Sequence, residues 1–468
     1  MISMIFINKT MKEADETTKK IVLIATTAAS FLTPFMGSAV NIGLPAVGHE
    51  FSLSAVMVGW VSYSFLLAAA TVMIPIGRIA DIWGRKKIFV YGLVAFTVSS
   101  FFCSIALSPA FLILSRTLQG LGAAMIFGTS IAILTSVFPA GERGRILGIN
   151  VASVYLGLSM GPFLGGFLTE HFGWRSIFLV TVPSGLLILF LVLRKMKWES
   201  HGRKDEQFDY LGACLYMASL FSVMYGISSI KQSSGLYLTS AGIILFIVFI
   251  ARERRTASPL FGEMPFRGNT IFIFSNLAAL INYSATYAVS FLLSLYLQFI
   301  HGYNPFHAGI ILLVQPVVQA LFSPASGRLS DRIEPRLLAS IGMMLTAGGL
   351  ALLVLLDGHG TVFFIVMAQF ALGLGFALFS SPNTNAIMSS VENTYYGVAS
   401  GMLATMRLMG QTMSMAIVML IISLHIGDAR ITLEQYPAFT GSLHSSLIVF
   451  CILCIAGIFA SLARGKVH

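Results

Sequence analysis

The residues of this chain that could do chemistry are few, and they stand at fixed spacings in otherwise apolar sequence. The stretch Gly77-Arg78-Ile79-Ala80-Asp81-Ile82-Trp83-Gly84-Arg85-Lys86-Lys87 places a carboxylate four residues before a guanidinium, with glycine to permit a tight turn. By itself this reads as a basic loop with glycine for its turn. The pattern returns in the second half of the chain as Gly327-Arg328-Leu329-Ser330-Asp331. Arg116 and Arg407 lie deep in apolar runs. A guanidinium at the centre of a membrane-spanning helix costs roughly 2.5–3.5 kcal/mol on insertion scales. Arg116 therefore needs a partner or a watered cavity, and Gln119 and Gly120 stand one turn on. Arg407 either pairs with backbone and polar groups or meets an anionic or carbonyl-rich substrate. Asn41, Asn282, Tyr283, Tyr287, Asn383 and Asn385 are further polar or aromatic groups in apolar surroundings, each expensive to insert unless used.

Enzyme chemistry finds no support. A membrane enzyme would need His, Asp or Glu clustered at one depth, and the sequence shows no such cluster. Cys451 and Cys454 have CxxC spacing without a second pair. With Cys103 and Cys214 they read as apolar filler. Gly120-Leu121-Gly122 follows no strand and lacks a third glycine, so it is no dinucleotide fingerprint. Neither a metal nor a cofactor is expected.

These residues must be carried by membrane-spanning helices. Of 468 residues, 56% are hydrophobic and 10% charged, where a soluble domain carries roughly 25% charged. The 15 prolines and 43 glycines fall inside apolar runs as well as between them, which transmembrane helices tolerate. Apolar runs long enough to span a bilayer predict fourteen helices, at 21–47, 56–80, 88–107, 110–137, 146–169, 176–193, 210–228, 236–251, 270–300, 305–329, 336–356, 361–389, 397–426 and 442–463. The first is expected to be retained, because the short apolar start Met1–Ile7 gives way to a polar stretch and then a full-length span.

Basic residues orient the chain. With the N-terminus inside, inner segments hold every Lys and Arg except Arg175, Lys231 and Arg430 in outer loops, and Arg116 and Arg407 within spans. Both termini are thus expected to be cytoplasmic. The formal net charge of +10 then marks orientation in a membrane and not nucleic-acid binding. In this frame none of the 19 acids falls at mid-span. Glu50, Glu170 and Asp357 stand at outer ends, and Asp81, Glu142 and Asp331 at inner loops. His49, His171, His301 and His307 also fall outside the membrane interior.

The chain repeats itself. Gly120-Leu121-Gly122 returns as Gly373-Leu374-Gly375, and Gly148 and Gly157 return as Gly401 and Gly410, at nearly the offset of Gly77 and Gly327. This implies an N-terminal segment 1–20, a six-helix bundle 21–193, a linker 194–269 with two inserted helices, a second six-helix bundle 270–463 and a C-terminus 464–468. Paired bundles carry a site at their interface near the midplane.

The Gly77–Lys87 loop and its second copy resemble the signature loop of the major facilitator superfamily, in which Gly allows close helix approach and Asp with Arg forms a conformational latch. Leu114-Ser115-Arg116-Thr117-Leu118-Gln119-Gly120 resembles that family's second motif, where the Arg is implicated in proton coupling. Gly157-Leu158-Ser159-Met160-Gly161-Pro162-Phe163-Leu164-Gly165-Gly166 is similar to the antiporter motif of the family's exporters. Its glycines four apart form one stripe, and Pro162 kinks the helix. Fourteen helices, with Val40-Asn41-Ile42-Gly43-Leu44-Pro45 and Gly59-Trp60-Val61, resemble the drug:proton antiporter group that includes multidrug and some tetracycline exporters.

The resemblance covers essentially the whole chain after residue 20. It implies an all-α major facilitator fold and alternating access, with export of amphipathic small molecules such as drugs, dyes or metabolites. It also implies proton entry, the lipid bilayer of the cell membrane as surroundings, and a functional monomer. One position departs. Many members carry an Asp in the first helix where this chain has Met36, so proton coupling rests on the resemblance alone. The absent carboxylate and two buried arginines favour a rival reading, an importer or carrier of anionic or lipid-like solutes.

The same resemblance gives structural expectations. The cavity should be lined by the first, fourth, ninth and twelfth helices, with Asn41, Arg116, Asn282, Tyr283, Tyr287, Asn383 and Asn385 as candidates. Arg116 should project into it beside Gln119 or a first-helix group near Asn41. In an outward-open or occluded state Asp81 should meet the N-terminus of the thirteenth helix near residues 394–398, with Arg85 beside Asp81 and Glu142; in an inward-open state that contact should be broken. The stripe Gly157, Gly161 and Gly165 should face the tenth helix at Gln315, Pro316 and Gln319.

Overall fold

A computed structural model describes residues 15–196, 207–231, 233–256, 259–260, 268–356, 362–392 and 395–465. Most of the expected N-terminal segment, residues 197–206, 232, 257–258 and 261–267 of the linker, Asp357 and residue 394 lie outside the described residues. Fourteen described helices are long and apolar enough to cross a membrane. They are α1 (Glu16–Glu50), α2 (Ala55–Trp83), α3 (Arg85–Ser104), α4 (Pro109–Val137), α5 (Ala140–Phe172), α6 (Arg175–Lys195) and α7 (Tyr210–Ser228). There follow α8 (Ser233–Glu253), α9 (Thr270–Ile300), α10 (Pro305–Ser330), α11 (Pro335–Val354), α12 (Val362–Ser389), α13 (Tyr396–His425) and α14 (Leu433–Ala463). All fourteen predicted spans are present.

Helix ends run past the apolar stretches where polar first turns can be satisfied. Asp15 caps α1 by accepting from the Thr18 amide at 3.1 Å, which satisfies one orphan N–H of the first turn. α5 starts at Ala140, ahead of its apolar run, and continues unbroken through Pro162. α6 is divided at Val180 and α10 at Leu313, while α9 closes with a π turn over Tyr296–Ile300.

The internal repeat is visible where backbones touch. A Cβ on Gly122 of α4 would lie 2.6 Å from the Phe96 nitrogen and 3.0 Å from the Gly92 carbonyl of α3. Its counterpart Gly375 in α12 would place one 2.7 Å from both the Gly342 carbonyl and the Thr346 nitrogen of α11. Gly120 and Gly373 press likewise on the Phe65 carbonyl of α2 and the Gln315 carbonyl of α10. Gly157 of α5 sits on the Phe31 carbonyl of α1, and Gly410 of α13 on the Leu280 carbonyl of α9. Matched helix pairs in α1–α6 and α9–α14 thus approach too closely for any side chain, so glycine repeats at these positions.

The inserted helices α7 and α8 form a hairpin against α2 and α13. Tyr63 of α2 donates its hydroxyl to the Met224 carbonyl at 2.7 Å, and the Trp60 and Tyr225 rings lie 5.4 Å apart. Lys231 donates to the Ser423 carbonyl of α13 at 3.0 Å. At the hairpin's base, Asp209 caps α7 through the Gly212 amide at 2.9 Å and accepts from Arg252 of α8 at 2.9 Å. Burial works against ionisation of Asp209, yet the Arg252 guanidinium and the Gly212 amide hold its carboxyl below the usual carboxylate range.

Candidate functional site

The two halves are joined by hydrogen bonds on the face opposite the basic loops. Ser294 of α9 donates to the Asn41 carbonyl of α1 at 2.8 Å, and Gln298 donates to the Ile42 carbonyl at 3.1 Å. Asn304 donates to the Glu170 carboxylate at 3.2 Å, and the Ala55 amide to the Ala429 carbonyl at 3.0 Å. Nearer mid-depth, Thr412 donates to the Leu66 carbonyl at 3.3 Å. There the Tyr155 hydroxyl of α5 stands 3.2 Å from that of Tyr283 and hydrogen-bonds the Ser380 hydroxyl of α12. Toward the basic face, Gly397 of α13 lies beside Thr135 of α4, whose hydroxyl would stand 3.0 Å from a Cβ there.

Two small adjoining clefts lie between the halves, of about 30 and 40 Å³. Phe127, Val154, Ala404 and Arg407 line both. The first cleft adds Thr33, Pro34, Gly37, Phe65, Leu158, Tyr287, Leu408 and Gln411. The second adds Ser30, Ser130, Asn150, Tyr155, Tyr283, Thr384, Met388, Ser400 and Leu403. On α13 the lining residues Ser400, Leu403, Ala404, Arg407, Leu408 and Gln411 recur at three- and four-residue steps and so share one helical face. Arg407 sits roughly 16 Å along α13 from its start, half-buried, with its guanidinium carbon 5.8 Å from the centre of the Phe127 ring. It has no hydrogen-bond or ion-pair partner among the described residues.

Of the expected cavity residues, Tyr283, Tyr287 and Arg407 line the clefts, and the others are corrected. Arg116 does not project into the cavity. It is fully buried, donates to the Val61 carbonyl at 3.0 Å and to Gln119, and stacks 4.5 Å from the Phe65 ring and 5.8 Å from the Phe178 ring. It shares a face of α4 with Phe127 but lies three turns, roughly 16 Å, nearer the closed face, where Phe65 separates it from the first cleft. Gln119 is beside it as expected and donates onward to Ser100 of α3 at 2.7 Å.

Asn41 turns to Ser62, which donates to it at 2.7 Å. Asn282 is wholly buried with no side-chain hydrogen bond among the described residues. Asn383 bonds Arg464 at 2.9 Å and the Ser275 carbonyl at 3.1 Å, tying α12 to α9 and α14. Asn385 donates to Ser330 at 3.0 Å and to Asp331 at 3.2 Å. It belongs to the second latch and not to the cavity.

In the first latch, Asp81 and Arg85 pair at 2.8 Å, and Arg85 donates to the Ala132 carbonyl of α4 at 3.0 Å. Ala132 and Asn385 are repeat mates, so each latch reaches the same point on its own half. Arg85 is bonded to Asp81 and α4, with no bond described to Glu142. Residue 394 lies outside the described residues. Gly84 joins α2 to α3 at φ 111°, which only glycine adopts without strain. A Cβ on Gly77 would meet nothing within 4 Å, but one on Gly128 of α4 would lie 3.7 Å from the Gly77 nitrogen, so α2 and α4 meet there from the Gly128 side.

The glycine stripe also faces a different partner. A Cβ on Gly161 would stand 2.9 Å from the Ala39 nitrogen, and one on Gly165 2.7 Å from the Ala39 carbonyl, both in α1. α10 meets α5 through its first turns instead, at Pro305 on Gly166 and Gly309 on Pro162. Gln315 of α10 packs on Gly373 within its own half.

Phe127, Asn150, Tyr155, Ser380, Thr384 and Gln411 were not anticipated. The criterion that selects Tyr283, a polar or aromatic group in an apolar helix, finds Tyr155 and Asn150 when applied to α5.

A family model described as Major Facilitator Superfamily matches residues 26–252 and 276–466. The chain is 30% identical to the riboflavin transporter RibZ of Clostridioides difficile over 83% of this chain and 85% of that protein. It is 31% identical to the multidrug resistance protein Stp of Mycobacterium tuberculosis over 86% and 75%. With the cephamycin export protein CmcT of Amycolatopsis lactamdurans it shares 30% identity over 92% of each. Among solved structures, a bacterial homologue of the human lysosomal transporter Spinster, inward-facing and unoccupied, superposes with a TM-score of 0.69 at 18% identity. That match covers 96% of this chain and 98% of the other.

Proposed function

The chain belongs to the major facilitator superfamily, and from that premise we propose that it exports amphipathic small molecules by alternating access. It is a multi-pass membrane transporter and not an enzyme. The observation that carries the proposal is the pair of clefts between α1–α6 and α9–α14, closed on the face opposite the basic loops by bonds that span the halves. Rocking 21–193 against 270–463 would break those bonds and open the clefts the other way. The basic face is cytoplasmic on this reading, in the cell membrane, and one copy of the chain suffices.

The antiporter-like run Gly157–Gly166 and the similarity to the cephamycin export protein CmcT support the outward direction. Proton entry drives the cycle on this reading. No Asp, Glu or His lines the clefts, so the proton travels elsewhere or on the substrate. Arg116, Gln119 and Gly120 hold α2, α3, α4 and α6 in register behind the cleft, and opening of the closed face would uncover them. Everted vesicles from producing cells should accumulate members of a dye panel, and a protonophore should abolish the uptake. Accumulation in right-side-out vesicles instead would reverse the assigned direction.

A further inference from the structure

We propose that Arg407 recognises the anionic group of an amphipathic organic anion, a carboxylate or sulfonate whose apolar body lies along Phe127 and Phe65. The proposal rests on the transport reading above and narrows it to a substrate class. The two wholly buried arginines each have partners: Arg116 has Val61 and Gln119, and Arg464 has Asn383 and Ser275.

Arg407 has none among the described residues, although it stands near mid-membrane where both clefts meet. No Asp or Glu lines either cleft to neutralise it. An unpaired guanidinium at this depth is costly, and its planar fork of donors matches a carboxylate or sulfonate. A cation would meet repulsion and no counter-charge. The hydroxyls of Tyr283, Thr384 and Ser400 line the second cleft within the same site; they bond Tyr155, the Ser380 carbonyl and Met388 in this state and would have to turn to donate to the anion. The clefts are narrow in this state, about 30 and 40 Å³, so the halves must part further to admit the anion's apolar body.

The test uses the purified full chain in proteoliposomes and two xanthene dyes of opposite charge, fluorescein and rhodamine 6G. Binding is read by fluorescence polarisation and movement by uptake. Wild type should bind and move fluorescein in preference to rhodamine 6G. Arg407→Gln should weaken fluorescein binding about tenfold or more, because a charge-assisted fork is lost. Arg407→Lys should weaken it about threefold, keeping the charge without the fork. The melting temperature of Arg407→Gln should not fall below wild type, since the change removes an unpaired charge. Vesicles with and without phosphatidylglycerol should bind fluorescein alike.

Fluorescein binding unchanged in Arg407→Gln, or transport of rhodamine 6G alone, overturns the anion assignment and leaves the transport reading standing. A large drop in melting temperature returns Arg407 to a structural role. A requirement for the anionic lipid assigns the site to a headgroup and also overturns the proposal. Failure of wild type to move either dye or any member of the wider panel overturns both readings.

Discussion

Arg116 illustrates how a buried charge is made tolerable without a counter-ion. Its donors reach the Val61 carbonyl and Gln119, Gln119 reaches Ser100, and two aromatic rings cover the guanidinium face. Arg116→Ala leaves the Gln119 oxygen without its donor and opens a void under Phe65 and Phe178. Each orphaned buried polar atom costs roughly 1–3 kcal/mol. The expected result is a lower melting temperature in detergent, with loss of transport as its consequence. Arg116→Lys should recover only part of the stability, because one ammonium cannot replace the fork. An Arg116→Ala protein that melts like wild type yet transports nothing would defeat this clamp reading and assign Arg116 directly to the transport cycle.

At the scale of helices, contact with a neighbouring backbone decides which glycines matter. Gly157 of α5 rests on the Phe31 carbonyl, whereas a Cβ on Gly148 of the same helix would meet nothing within 4 Å. Gly157→Ala must push α1 and α5 apart and should lower both melting temperature and transport. Gly148→Ala should be neutral or stabilising by up to about 1 kcal/mol, the helix propensity gained. Equal behaviour of the two variants would show that the stripe is not a packing surface.

The α7–α8 hairpin makes a separate prediction. Asp209→Ala removes both the cap of α7 and the pair with Arg252, while Asp209→Asn can keep the cap. Hydrogen exchange of the 210–214 amides should therefore speed up in the Ala variant and less so in the Asn variant. Because the Asp209 carboxyl is held low in the folded chain, its contribution is present above the unfolded carboxylate value. It is lost only as pH falls through the depressed one.

For the whole molecule, the decisive quantity is whether the halves separate on the closed face. Glu170 of α5 and Asn304, just ahead of α10, are hydrogen-bonded across that face at 3.2 Å. A Glu170→Cys and Asn304→Cys pair, in a background lacking the four native cysteines, should form a disulfide under oxidation. Transport should then stop and return on reduction. Undiminished transport by the cross-linked protein would mean that the cycle does not open this seam.

Much of this architecture follows from sequence because it depends on local chemistry. Lipid admits only backbone that satisfies its own hydrogen bonds, so long apolar runs had to be helices, and all fourteen are found. Gly120, Gly122 and Gly157 return as Gly373, Gly375 and Gly410 because matched helix pairs touch backbone to backbone there. The Asp81–Arg85 pair was legible from the likeness of its loop to the family's signature loop, and the four-residue spacing puts both on one face of a turn.

The site was less legible, because depth and azimuth together decide what a side chain meets. Arg116 and Phe127 share a face of α4, yet only Phe127 reaches the clefts. Asn383 and Asn385 stand on one helix within three positions, yet one binds Arg464 and the other the second latch. Arg407 left two readings open in the sequence, a paired guanidinium or a ligand-binding one. Tertiary packing set it where both clefts meet and brought no carboxylate from the described residues to it, since the elements facing it there present Phe127, Val154 and hydroxyls.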